Sequence, residues 1–203
     1  MNFIVLSSSR GTTFQATIDA MKKGELKATC LGLLTDSPER GCIEKAKKAG
    51  IPVSIVERRK GDSREDFDRR VDQALRDMGA DDRTVLAAMG WMFIFSEWFI
   101  AAWNNRIINV HPALLPKHGG EGMYGHHVHD AVLAAGEKES GVTIHLMDDG
   151  VDTGPILVQK KCSVLPHDTA ETLQKRVQEL EKEWYPKVLQ MIEIGTVRLP
   201  IRA

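Results

Sequence analysis

The sequence predicts an α/β fold in which a mainly parallel sheet carries helices on both faces, a Rossmann-like arrangement. Apolar strand-like runs alternate with helix-like stretches along the whole chain, turn residues separate them, and no repeat or low-complexity tract interrupts the alternation. The opening run Phe3-Ile4-Val5-Leu6 has no polar residue, as a strand covered on both faces requires, and places a first strand at Ile4–Ser7. Phe14, Ile18 and Met21 recur at helical spacing in an expected helix over Phe14–Lys22. A second strand is expected at Thr29–Thr35, a second helix at Glu39–Ala49 with Gly50 as its stop, and a third strand at Pro52–Val56. Ser63–Met78 reads as a charged amphipathic helix, Thr84–Met89 as a fourth strand and Ser96–Trp103 as a short helix. The strand Ile107–His111 should stop there, because Pro112 has no N–H for a sheet ladder. After a glycine-rich passage come a helix over His126–Ala135, strands at Val142–Met147 and Pro155–Val164 joined through Asp149-Gly150, and a long helix over Thr169–Ile194. Nothing in the composition marks a linker, so residues 1–203 read as a single domain.

With 42% hydrophobic residues, the chain can bury a proper core. Its 27 basic and 28 acidic residues leave a net charge of −1, so no overall basic field draws in nucleic acid or an anionic membrane. An anionic ligand must therefore be gripped locally. No apolar run reaches membrane-spanning length, and no basic region with a cleavage site precedes the first strand. Cys30, Cys42 and Cys162 are an odd number without paired metal-ligand spacing, which suits reduced thiols and a cytoplasmic location.

The chemistry concentrates in two places. Asn109, His111 and the later Asp152 supply an amide, an imidazole and a carboxylate: groups that stabilise a developing oxyanion, move a proton and support the proton carrier. Alternation along a strand sends Asn109 and His111 to one side, at a carboxyl end where open α/β sheets hold ligands. The second place is Ser7-Ser8-Ser9-Arg10-Gly11-Thr12-Thr13, which follows a strand and opens a helix, a position that favours an anion. It matches neither the dinucleotide nor the P-loop glycine pattern, so a monophosphate is expected. The competing reading is a threonine N-cap on an ordinary turn. Asp148 and Asp149 are rival carboxylates, and His145, on an apolar strand, reads as structural or as a support to the site.

The chain resembles the folate-dependent formyltransferases. The matching stretches are Ser8 to Ala16, Asp62-Ser63-Arg64-Glu65, Gly90-Trp91-Met92, Ile108-Asn109-Val110-His111-Pro112 through Lys117, Val151-Asp152-Thr153-Gly154-Pro155, and Arg176-Val177-Gln178 through Pro186. Together they span nearly the whole chain. The resemblance implies formyl transfer from 10-formyltetrahydrofolate, used as a co-substrate, to the amine of 5-phosphoribosylglycinamide in purine biosynthesis. It implies an amino-terminal half on the phosphate side and a carboxyl-terminal half that holds folate and carries catalysis. It also implies that Asn109, His111 and Asp152 are catalytic, Asp152 raising the His111 pKa and supporting a charged imidazole. Gly11, Thr12 and Thr13 would meet the phosphate, and Gln178 and Glu181 the ribose and amine. Arg64, Met92, Phe93, Ile94 and Phe95, with Asn109, would face the folate.

Two departures from the family pattern stand out. Phe93 occupies a position the family often fills with Arg, which removes a cation for the folate's glutamate tail. Residues 118–129, rich in Gly and His, are longer than the common loop and suggest a lid over the cleft. His126 and His129 could share a helical face, yet with no carboxylate or Cys at ligand spacing no metal is expected. Lys117 and His118 would touch the phosphate or stay solvated. A homodimer is left open. Competing readings are a methionyl-tRNA formyltransferase or a formyltetrahydrofolate hydrolase, each expected to carry an extra domain, and a phosphoribosyl-ligand sensor, expected to lack part of the triad.

Overall fold

The computed structural model describes residues 1–200 and contains, in order, β1 (Asn2–Leu6), α1 (Thr12–Lys22), β2 (Thr29–Thr35), α2 (Cys42–Lys48), β3 (Val53–Ile55), α3 (Arg64–Asp77), β4 (Val85–Ala88), α4 (Glu97–Ala102), β5 (Ile107–His111), α5 (His126–Ala134), β6 (Glu139–Leu146), β7 (Ile156–Ser163) and α6 (Ala170–Glu193). The strands form one sheet in the order β3-β2-β1-β4-β5-β6-β7. The first five run parallel, while β6 pairs antiparallel with β5 and β7 with β6.

Period-two alternation sorts the core into two layers. Phe3 and Val5 of β1 and Val85 and Ala87 of β4 pack with Phe14 and Ile18 of α1 and with Leu173, Val177 and Tyr185 of α6. The intervening Ile4, Leu6, Leu86 and Ala88 face Phe67, Val71 and Leu75 of α3 and Phe99 of α4. Fully buried strands on both faces are what an all-apolar run such as Phe3 to Leu6 can tolerate.

Most boundaries fall within two residues of expectation, and two depart by three. Helix α2 starts at Cys42 rather than Glu39, because Arg40 is drawn back onto the Asp36 carboxylate, at 2.6 and 3.1 Å, and the chain turns there before entering the helix. Strand β6 starts at Glu139 rather than Val142, since its ladder with β7 begins with Glu139 opposite Ser163. Pairing with a partner strand, not apolar content, extends it.

The order of strands reverses between β1 and β4, and the loops after them part to leave a crevice at their carboxyl ends. That crevice, continued past the end of β5, is the main cavity. Among the described residues no helix is long and apolar enough to cross a membrane.

Candidate active site

The cavity, about 740 Å3, starts at the loop between β1 and α1. The Ser7 hydroxyl donates to the Met89 carbonyl (2.8 Å) and the Ser8 N–H to the Gly90 carbonyl (2.9 Å), which stitches this loop to the one after β4. Gly11 is the N-cap of α1 with φ 74°, and a Cβ there would lie 2.8 Å from the Cys42 Cβ. No side chain caps α1, so the threonine-cap reading fails and the first N–H groups of the helix lack a side-chain partner. Thr12 and Thr13 line the cavity together with Ser9, which sequence reasoning passed over. Gly11 shapes this loop, its N–H donating to the Ser9 hydroxyl at 3.0 Å.

Farther along the cavity, β5 delivers Asn109 and His111, both in its wall. His111 is 3% exposed. Its Nδ1 lies 3.2 Å from Asp152 Oδ2 and its Nε2 2.8 Å from the His118 carbonyl oxygen. Both neighbours are acceptors, so a ring with one proton can serve only one of them, and serving both takes an imidazolium. Burial is the strongest influence on His111 and pushes its pKa below the ordinary value, against Asp152 and the His118 carbonyl, which pull it up. This corrects the expected rise: Asp152 is in place, but enclosure outweighs it. For Asp152 burial acts upward, yet His145, His111 and the Gly120 N–H together hold the carboxyl below its ordinary value. Asp152 sits at φ 60°, in the left-handed region that Asp tolerates better than most residues.

The two rival carboxylates do not reach this cluster's place in the cavity wall. Asp148 accepts from the Thr153 hydroxyl at 2.6 Å and from the Gly150 N–H at 3.1 Å, holding the turn that presents Asp152. His145 proves more central than its apolar strand suggested. It pairs across the β5–β6 ladder with Asn109, and its Nε2 lies 3.1 Å from the Asn109 amide nitrogen and 3.5 Å from Asp152 Oδ1. Its Nδ1 donates to the Leu146 carbonyl (2.9 Å), which leaves Nε2 to accept from Asn109. His145 therefore orients the amide and lies beside the carboxylate.

One face of α6 closes the cavity beside Thr13 with Gln174, Gln178 and Glu181, spaced for a single helical stripe. Gln174 was missed, although the spacing could have found it. The Thr13 hydroxyl donates to Glu181 Oε2 at 3.1 Å, and burial pushes the Glu181 carboxyl up to about 7 against that bond. Tyr185, fully buried on the same helix, donates to the Ile108 carbonyl at 2.8 Å and so ties α6 to β5 next to Asn109.

The apolar end is formed by Trp91, Met92, Phe93, Ile94 and Met147, with Met92 50% and Ile94 40% exposed around the opening. Phe93 packs on the Trp91 and Phe67 rings. One expected folate contact is corrected: Phe95 is buried, stacked between Trp91 and Phe99 in the core, while Arg64 is an exposed residue at the start of α3. Lys117 and His118 both pair with Glu137, at 2.9 and 3.4 Å, in a separate hollow, and Lys117 stays exposed, in keeping with its solvated reading. His126 and His129 do not form a pair. His129 is buried, whereas exposed His126, His127 and Asp130 place one ligand atom each within 4.8 Å of one another, so Asp130 is a carboxylate the spacing argument overlooked. The three cysteines are free.

A family model described as "Formyl transferase" matches residues 1–189, and the chain belongs to that family. It is 32% identical over 190 residues to the phosphoribosylglycinamide formyltransferase of Bacillus subtilis, covering 94% of this chain and 93% of that one. It is 35% identical over 194 residues to the trifunctional purine biosynthetic protein adenosine-3 of Drosophila melanogaster, covering 95% of this chain but only 14% of that longer protein. The crystal structure of glycinamide ribonucleotide transformylase 1 from Symbiobacterium toebii superposes with a TM-score of 0.89 at 30% identity, covering 100% of this chain and 91% of that one.

Proposed function

We propose that this protein transfers the formyl group of 10-formyltetrahydrofolate to the amine of 5-phosphoribosylglycinamide, yielding the formylated amide and tetrahydrofolate in purine biosynthesis. The observation that supports this most is the junction at the cavity's centre: His111 within 3.2 Å of Asp152, with Asn109 beside them, between an uncapped helix terminus and an apolar opening. The matched relatives bear names of this activity over nearly the whole chain. The cavity also suits both substrates. The α1 terminus with Thr12 and Thr13 suits a phosphate, the α6 stripe a ribose and an amine, and Met92, Ile94 and Met147 a flat ring whose polar edge meets backbone groups.

In this reading Asn109 keeps one amide N–H on His145 and turns the other toward the formyl oxygen, where negative charge gathers as the new C–N bond forms. His111, held neutral by burial, takes the proton that the attacking amine sheds and returns it to the departing folate nitrogen as the old C–N bond breaks. Asp152 stabilises the imidazolium in between. The proton ends on the folate nitrogen, and no net proton is gained or lost. His111 can reach substrate only once the His118 carbonyl yields its place, so residues 118–125 act as a lid. The same proposal keeps a cytoplasmic location, consistent with three free thiols, and requires no metal for the transfer.

Purified protein given both substrates should release tetrahydrofolate, followed by absorbance; folded protein without turnover overturns the reading. His111→Ala should lower kcat by about a hundredfold or more while binding of the phosphorylated substrate, read by calorimetry, persists. Unchanged turnover would remove His111 from the chemistry.

A further inference from the structure

His129 takes no part in the chemistry just described, and its surroundings are unusual for a packing residue. It lies on α5 with 1% of its surface exposed, between Val128 and Val132, which are buried and apolar. Its Nδ1 is sealed from solvent without a hydrogen-bond partner, and among the described residues no protein group bonds to its other ring nitrogen. A buried polar group left unpaired costs about 1–3 kcal/mol, a cost a third valine would not carry. Yet the ring is part of the cavity wall. Helix α5 packs against α6, whose cavity face bears Gln174, Gln178 and Glu181, and His129 lies near enough to His111 to interact with it electrostatically, which sets the ring by the polar part of the cavity. With Nδ1 sealed, Nε2 is the atom left to serve a molecule in the cavity.

We propose that His129 is a substrate-binding residue whose Nε2–H donates to an uncharged oxygen of the amine substrate, a hydroxyl or an amide carbonyl, lying between the N-terminus of α1 and His111. This rests on the amine substrate assigned above. Burial pushes the His129 pKa down to about 4, so the ring is a donor without charge at neutral pH and does not add a cation beside His111, with which it interacts electrostatically. An uncharged donor suits a hydroxyl or carbonyl, while the phosphate has the helix terminus.

Three substitutions test the assignment. His129→Leu fills the space without a donor, His129→Gln places an amide nitrogen near the Nε2 position, and His129→Asn places one near Nδ1. The Leu and Asn variants should raise KM for the amine substrate about tenfold, the size of one lost hydrogen bond, with KM for the formyl donor unchanged. The Gln variant should stay within about threefold of the parent, and the effect should hold constant from pH 6 to 9. A Leu variant within about twofold of the parent, a parallel rise in both KM values, or a Gln variant as impaired as Leu overturns the proposal. Calorimetric titration with the amine substrate reads the same contrast without turnover. Lack of turnover in the parent therefore counts against the proposed reaction, and equal binding by parent and Leu variant counts against His129.

Discussion

The loop after β1 and the loop after β5 close over the same cavity but are held in different ways. The first is stitched to its neighbours by hydrogen bonds from Ser7 and Ser8 to the Met89 and Gly90 carbonyls, with Gly11 wedged against Cys42. Of its contacts among the described residues, only the Thr13 hydroxyl's bond to Glu181, whose carboxyl is pushed up to about 7, involves a group that titrates near neutral pH. The second leans on the reactive groups themselves: the His118 carbonyl oxygen lies 2.8 Å from His111 Nε2 and the Gly120 N–H donates to Asp152 at 3.1 Å. Around Gly120, Gly122 and Gly125, all at positive φ, there is open space. The anion-binding end is thus preorganised whatever the protonation of His111 and Asp152, whereas the loop over His111 depends on the charge of the two groups it covers. A rigid grip at one end lets a substrate be positioned while the other end changes state during the reaction.

Breaking the second loop's anchor should have the largest effect. Asp152→Asn removes the carboxylate that pulls the His111 pKa up, so the limb of the pH–rate profile assigned to His111 should move to lower pH and kcat should fall by about a hundredfold. A pH–rate series in which the limb stays put would detach Asp152 from His111. In the parent, a depressed histidine pKa contributes stability that is present above the ordinary value and lost as pH falls through the folded value, so acid should weaken the fold here.

The first loop should break differently. Gly11→Val forces a β-branched side chain into φ 74° and onto Cys42, which should lower unfolding stability by about 2–3 kcal/mol in a denaturant titration. KM for the amine substrate should rise with little change for the formyl donor. A variant as stable as the parent would show that the loop is not set by this contact.

The smallest effect sharpens the contrast at Glu181, which bridges the first loop to α6. Its pKa is raised to about 7, so its proton contributes stability below the ordinary value of 4.5 that is lost as pH rises through 7. Glu181→Gln keeps the neutral shape, and its Tm should match the parent near pH 4 and exceed it by a few degrees at pH 8. Equal Tm at both pH values would mean that Glu181 is not enclosed as described.

Elements defined by their own residues were legible from the sequence. All thirteen appear in the expected order, and Thr29–Thr35 and Ile107–His111 match their expected bounds, the latter because Pro112 stops the ladder. The Asn109, His111 and Asp152 set was legible from residue type and motif order. Phe95 was misread because the chain after β4 has no regular structure: nothing in the one-dimensional pattern says which of Phe93, Ile94 and Phe95 turns into the core. The Asp62 to Glu65 motif also starts α3, with Ser63 capping the helix through Asp66, a structural role the sequence reading did not assign.

Sequence alone determined which chemical groups the chain owns and which segments become strands and helices, because periodicity, proline and glycine act over a few bonds. Tertiary structure decided what those groups do to one another. Asn109 meets His145 only through the antiparallel register of β5 and β6. The His111 pKa falls rather than rises because burial, a property of the whole fold, outweighs a single neighbouring carboxylate. His129 changes from a candidate metal ligand to a buried, unpartnered ring because α5 turns it inward, and helical rotation gains that meaning only when another element packs against the helix.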